Sequence, residues 1–116
     1  MNLPTLYGIP NCDTVKKARA WLAGRGVEHA FHDFKKQGVP VVLLDGWIEH
    51  LGWEALVNRR GTTWRKLDAA RQAEVVDAAS ARALMLEQPS VIRRPVLVRG
   101  EVLRVGFDAQ EWAGLF

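Results

Sequence analysis

The sequence predicts an α/β fold: a small mixed sheet of four strands whose two halves are separated in the chain by an all-helical stretch. Three observations carry this expectation. Short apolar runs bounded by turn residues lie near both ends, at Leu3 to Ile9 and Pro95 to Val105. A helical periodicity begins directly after the first run, and the middle of the chain repeats apolar residues at helical spacing. With 116 residues, 48% hydrophobic and 25% charged, the chain has the length and balance of one globular domain, which excludes disorder and collagen-like architecture.

Leu3 to Ile9 reads as a buried strand, closed by Pro10-Asn11. From Asp13 onward, Val15, Ala18, Trp21 and Leu22 form one apolar stripe while Lys16, Lys17, Arg19 and Arg25 fill other faces, giving an amphipathic helix stopped by Gly24 and Gly26. Val27 to Phe34 is a second strand, and a strand, helix and strand at this spacing form a right-handed parallel unit. Val42, Leu43, Trp47, Ile48, Leu51, Ala55 and Leu56 describe a helix bent or broken at Gly52. Asn58 to Thr63 is a loop; Trp64 to Leu67, Gln72 to Ala78 and Ala81 to Leu86 are short helical pieces, closed by Pro89. Pro95 to Val98 and Glu101 to Val105 make a hairpin about Arg99-Gly100, and Asp108 caps a last helix ending near Phe116. That order is a thioredoxin-like core, about residues 1–38 and 90–116, with a helical insertion of about residues 39–89.

Sixteen Lys and Arg against thirteen Asp and Glu leave a net charge of +3, with the arginines spread along the chain, so small anions are favoured and no nucleic-acid partner is expected. No apolar stretch approaches the ~20 residues of a membrane span, and the N-terminus lacks a secretory pattern. The single cysteine, Cys12, cannot form an internal disulfide; a reducing, cytoplasmic setting and a monomer are expected. His29, His32 and His50 show no metal-ligand spacing, so no metal is expected, and the five tryptophans fall mostly on apolar helical faces suited to core packing.

Cys12 falls between the first strand and the first turn of its helix, where unpaired N–H groups and the helix dipole favour a thiolate. Lowering a thiol from ~8.5 to about 6.5 needs roughly 2.7 kcal/mol of preferential anion stabilisation. A helix dipole gives ~0.3–1 kcal/mol and about 2 at best. Further donors are therefore required: the N–H groups of Asp13 and Thr14, Lys16 one turn on, and an arginine brought in by the fold, with the Asp13 carboxylate opposing them if it turns toward the sulfur. Val15 at the fourth position excludes a CxxC pair. Arg93-Arg94-Pro95 could aim a guanidinium at an anion near the end of the first strand. Arg59-Arg60 is a further basic candidate, and Lys35-Lys36 reads as a solvated turn.

Leu6-Tyr7-Gly8-Ile9-Pro10-Asn11-Cys12-Asp13-Thr14-Val15-Lys16-Lys17-Ala18, Arg60-Gly61-Thr62-Thr63-Trp64-Arg65-Lys66-Leu67 and Arg93-Arg94-Pro95-Val96, with the terminal Val105-Gly106-Phe107, resemble the arsenate reductase (ArsC)/Spx family, in its YffB-like branch. The resemblance spans nearly the whole chain. It implies a thioredoxin-like fold with a helical insertion, a nucleophilic Cys12, a cis proline at Pro95 and an anion-facing Arg94. Around the substrate it places Asn11, Asp13, Thr14, Lys16, Arg60, Arg93 and Pro95. Glutathione-linked arsenate reductases carry a histidine where Gly8 stands, and the arginine expected near the C-terminus is replaced by Val105, which weakens arsenate as substrate. Arg60 matches the Spx-like branch better, yet the second cysteine of the Spx switch is Val15 here. The resemblance thus implies a bacterial one-cysteine thiol reductase acting on an oxidised thiol, with no bound cofactor and glutathione as external thiol. Its alternatives are a non-enzymatic regulator that binds a protein such as RNA polymerase, and an arsenate reductase.

Overall fold

The computed structural model describes residues 3–116. By their contacts they form two compact units, residues 3–37 with 94–116 and residues 38–93. Residues 90–93 group with the second unit because Pro89–Val91 is a turn of 3₁₀ helix and Ile92 bridges Val57. The neighbouring arginines Arg93 and Arg94 are thereby divided between the units.

The first unit is built on strands β1 (Thr5–Gly8), β2 (Ala30–Asp33), β3 (Val96–Arg99) and β4 (Val102–Val105), in the order β2-β1-β3-β4. β1 and β2 are parallel, whereas β3 runs antiparallel to both β1 and β4. Helix α1 (Asp13–Gly24) connects the parallel pair, and α8 (Ala109–Ala113) follows the hairpin. Together these elements make the thioredoxin-like mixed sheet expected from the sequence, with the helices of the second unit inserted in the chain between β2 and β3.

Alternation along β1 sends Leu6 into a core with Ala18, Leu22, Leu97 and Trp112, flanked by Trp21, Val27, Phe31 and Phe107. Trp112 is completely buried and meets Phe107 edge to face at 4.8 Å between ring centroids. α1 ends as its glycine predicts. Gly26 has φ +70, its N–H donates to Ala23 O, and Val27 N–H donates to Leu22 O, the paired bonds of a Schellman motif. Asp108 caps α8 by accepting from the N–H groups of Gln110 and Glu111.

The second unit contains α3 (Val41–Leu51), α4 (Trp53–Leu56), α5 (Thr62–Lys66), α6 (Ala69–Ala73) and α7 (Ala78–Glu87). Leu44, Trp47, Leu56, Leu84 and Met85 supply its buried side chains. Gly52, at φ +85, makes the expected break between α3 and α4. Asp77 and Ser80 form a reciprocal capping box that starts α7.

Several boundaries differ from the sequence reading. The second strand begins at Ala30 rather than Val27, because Val27 closes the end of α1; Phe34 opens a short helix, α2 (Phe34–Gln37), once Asp33 accepts from Lys35 N–H. Thr62 and Thr63 are helical, and the Gln72 to Ala78 piece is interrupted after Ala73 because Asp77 starts a new helix. The hairpin turns on Gly100-Glu101, with Arg99 paired to Val102 and Gly100 at φ +59, the position where a type II′ turn requires positive φ. The last helix stops at Ala113. Among the described residues, no helix is long and apolar enough to cross a membrane.

Replacing Trp112 with Ala should cost about 3–5 kcal/mol in denaturant unfolding, since it empties the centre of the sheet unit's core. A loss below about 1 kcal/mol would show that this core collapses without it.

Candidate active site at the start of helix α1

The connection from β1 to α1 places Cys12 at the helix N-cap. β1 ends at Gly8, Ile9 is buried, and Pro10-Asn11 turns the chain so that Cys12 adopts an extended backbone, φ −125 and ψ 125. Its carbonyl accepts the first helical hydrogen bond, from Lys16 N–H at 2.9 Å. The sulfur therefore lies at the positive end of a twelve-residue helix and is only partly buried.

The register of β3 brings the second half of the chain to the same place. Tyr7 pairs with Val96, so continuing the antiparallel ladder puts Pro95 beside Gly8 and Arg94 just past the end of β1. The Arg94-Pro95 peptide is cis, Pro95 is buried, and the Pro95 carbonyl accepts from Gly106 N–H at 2.8 Å. Arg94 itself is half-buried, with its stem against Gly8.

Two influences compete at the thiol. Burial pushes its pKa up, as removing an anion from water must. Against this act the Val15 backbone N–H, the hydrogen bond and charge of the Arg94 guanidinium, and the Thr14 backbone N–H. The opposing group wins, and the thiol lies below its ordinary range. The N–H groups and the guanidinium are donors and positive charge, which stabilise a thiolate more than a neutral thiol.

Within the sheet unit the sequence-predicted residues take different places. The Thr14 N–H and the Arg94 guanidinium lie against the sulfur. Asp13 N–H does not take the expected role; Val15, one turn into the helix, supplies the second donor. The Lys16 ammonium reaches Asn11 Oδ1 at 3.5 Å, so its polar contact is with the exposed turn. Asp13 is exposed in the first helical turn. Arg60 and Arg93 belong to the helical unit and are exposed; Arg93 N–H donates to Leu56 O at 2.7 Å, and Arg60 O accepts from Arg65. Arg104, beside the Val105 position, donates to Leu103 O and lies 3.6 Å from Glu111. Among the described residues no three His, Cys, Asp or Glu side chains gather as a metal site.

A thioredoxin-like sheet with one anion-stabilised cysteine at the head of its first helix defines a class of thiol-centred proteins, and the chain belongs to the ArsC family, which it matches over residues 7–115. A solved structure named YFFB protein shares 48% identity over 96% of both chains, with a TM-score of 0.89. An arsenate reductase related protein from Brucella melitensis is 50% identical over 97% of this chain and 92% of its own, with a TM-score of 0.78. Among curated relatives, a Haemophilus influenzae protein described as uncharacterized is 39% identical over 97% of each chain. The global transcriptional regulator Spx of Streptococcus agalactiae serotype V is 29% identical over 92% of this chain and 78% of its own.

Arg94→Ala should raise the Cys12 titration midpoint with little effect on folding; a titration indistinguishable from the parent would remove the guanidinium's electrostatic role. The thiol also couples to stability. Because its folded value is lowered, the stabilisation is fully present above the unfolded thiol value of ~8.5 and disappears as pH falls through the folded value. The stability difference between wild type and Cys12→Ser should therefore increase with pH across that interval. Urea midpoints that stay parallel contradict the assignment.

Proposed function

We propose that this protein is a one-cysteine thiol reductase that uses glutathione as its external thiol. The observation that carries the reading is the half-buried Cys12 sulfur at the head of α1, held toward its anionic form by Val15, Arg94 and Thr14. A thiolate is the nucleophile in thiol–disulfide exchange, and its partial exposure leaves it open to attack a second sulfur. In the proposed cycle Cys12 attacks one sulfur of an oxidised substrate, the substrate's S–S bond breaks, and the departing sulfur leaves as a thiolate. Arg94 offsets negative charge during this exchange, with the helix dipole acting in the same sense.

The chain has no other cysteine to resolve the mixed disulfide. A second external thiol must attack Cys12–S–S–R, releasing the Cys12 thiolate and carrying R away as a new disulfide. Glutathione suits this step: its two carboxylates complement Lys16 and Lys17 on the exposed side of α1, and it is abundant in the reducing, cytoplasmic setting expected for an unpaired cysteine. Asn11, Asp13, Thr14 and Pro95 border the sulfur in this proposal, and Arg60 and Arg93 are further substrate contacts proposed from the family pattern. Arsenate is a less supported substrate, since Gly8 supplies no side chain and Arg104 is engaged with Leu103 and Glu111.

The Spx relatives support a second reading, a regulator acting through a protein partner such as RNA polymerase, in which Cys12 has no catalytic duty. Incubation with oxidised glutathione followed by intact-mass spectrometry separates the two. The enzymatic reading predicts a glutathione adduct on Cys12 that a second equivalent of reduced glutathione removes, and loss of all reductase activity in Cys12→Ser. An unmodified protein after prolonged incubation at neutral pH favours the regulator.

A further inference from the structure

Gly8 closes β1 at a buried position, yet its backbone does not require glycine, because its φ is not positive. Glycine inside a strand weakens the strand, so another cause must account for it. The surroundings supply one. A β-carbon at position 8 would lie 3.1 Å from Val15 Cγ2, and 3.7 and 3.8 Å from Cβ and Cγ of Arg94. The first distance is too close for relaxed packing, and the others are ordinary contacts. Val15 has little room to yield: it is completely buried, and a β-branched side chain in a helix is stiff about χ1.

We propose that Gly8 is a positioning residue, whose missing side chain leaves the space in which the Val15 turn of α1 and the Arg94 stem come together around Cys12. The assignment rests on the reading of Cys12 as nucleophile. It adds that the strand end, and not only the helix and the arginine, sets the reactivity of the sulfur. A methyl group at position 8 presses on Val15 while making only ordinary contacts with Arg94, so the Val15 turn of α1, and with it the Val15 N–H, shifts away from the sulfur. Position 8 acts through Val15 and does not itself touch the reacting atoms.

The test compares four proteins, wild type, Gly8→Ala, Val15→Ala and the double variant, by rate of Cys12 alkylation against pH, with circular dichroism to monitor the fold. Gly8→Ala should retain the fold and move the midpoint upward; at a pH below the midpoint the rate should then fall about tenfold for every pH unit that the midpoint rises. In the Val15→Ala background, where Cγ2 is gone, adding Gly8→Ala should leave the midpoint of Val15→Ala unchanged; this arm decides the matter even if the single Gly8 variant fails to fold. A Gly8→Ala midpoint equal to a lowered wild-type midpoint overturns the assignment of Gly8 alone, as does an equal upward movement in both backgrounds. A wild-type midpoint at the value of a free thiol overturns the nucleophile reading and the Gly8 assignment with it.

Discussion

Cys12 sits where two opposing forces meet on one atom. Partial burial disfavours charge on the sulfur, while two backbone N–H groups and a guanidinium favour it, and the balance falls toward the anion. Much of the sheet unit's geometry serves that balance. The β1–α1 connection points the head of a helix at the sulfur, and the antiparallel register of β3 delivers Arg94 to the end of the neighbouring strand. The two contributions act together. A helix dipole of ~0.3–1 kcal/mol, about 2 at best, lowers a thiol only modestly, and an arginine needs a fixed backbone to stay beside a half-buried group.

The packing behind the site keeps these parts fixed. Val15 turns its side chain into the core while its N–H faces the sulfur, so helix packing and thiol chemistry share one residue. Pro95 is buried, and its carbonyl holds Gly106 at the far end of the hairpin. Trp112 and Phe107 close the other part of the unit, where Leu6, Ala18 and Leu22 meet. Reactivity at the sulfur thus depends on the core packed behind it.

The elements most legible in the sequence had strong local causes. α1 was readable from its stripe of Val15, Ala18 and Leu22 and its glycine stop, the α3 break from Gly52, and the cap of α8 from Asp108. The misplaced boundaries occur where tertiary context outranked pattern: Val27 belongs to the Schellman closure, Phe34 to the turn after Asp33, and the hairpin turn moved one residue because only Gly100 takes positive φ there. At the site, Cys12 was marked by its place between a Pro-Asn turn and a helix start. Arg94 was marked by its place directly before Pro95 and by the family resemblance, and strand register supplies the physical reason, since the antiparallel ladder brings position 94 to the end of β1. Val15 is not legible as a donor, because a valine's sequence signal is its side chain, whereas its contribution to the thiol is a backbone N–H. The space above Gly8 is likewise a property of three dimensions, as it depends on a helix and a strand that meet only in the fold.

The most direct test of the central claim is the ultraviolet absorbance of the thiolate followed through a pH titration of the wild-type protein, with Cys12→Ser as the baseline. A single transition centred clearly below the ~8.5 of an unperturbed cysteine is expected. A transition at or above that value would mean that burial prevails over the helix head and Arg94, and would contradict the thiolate on which the proposed chemistry depends.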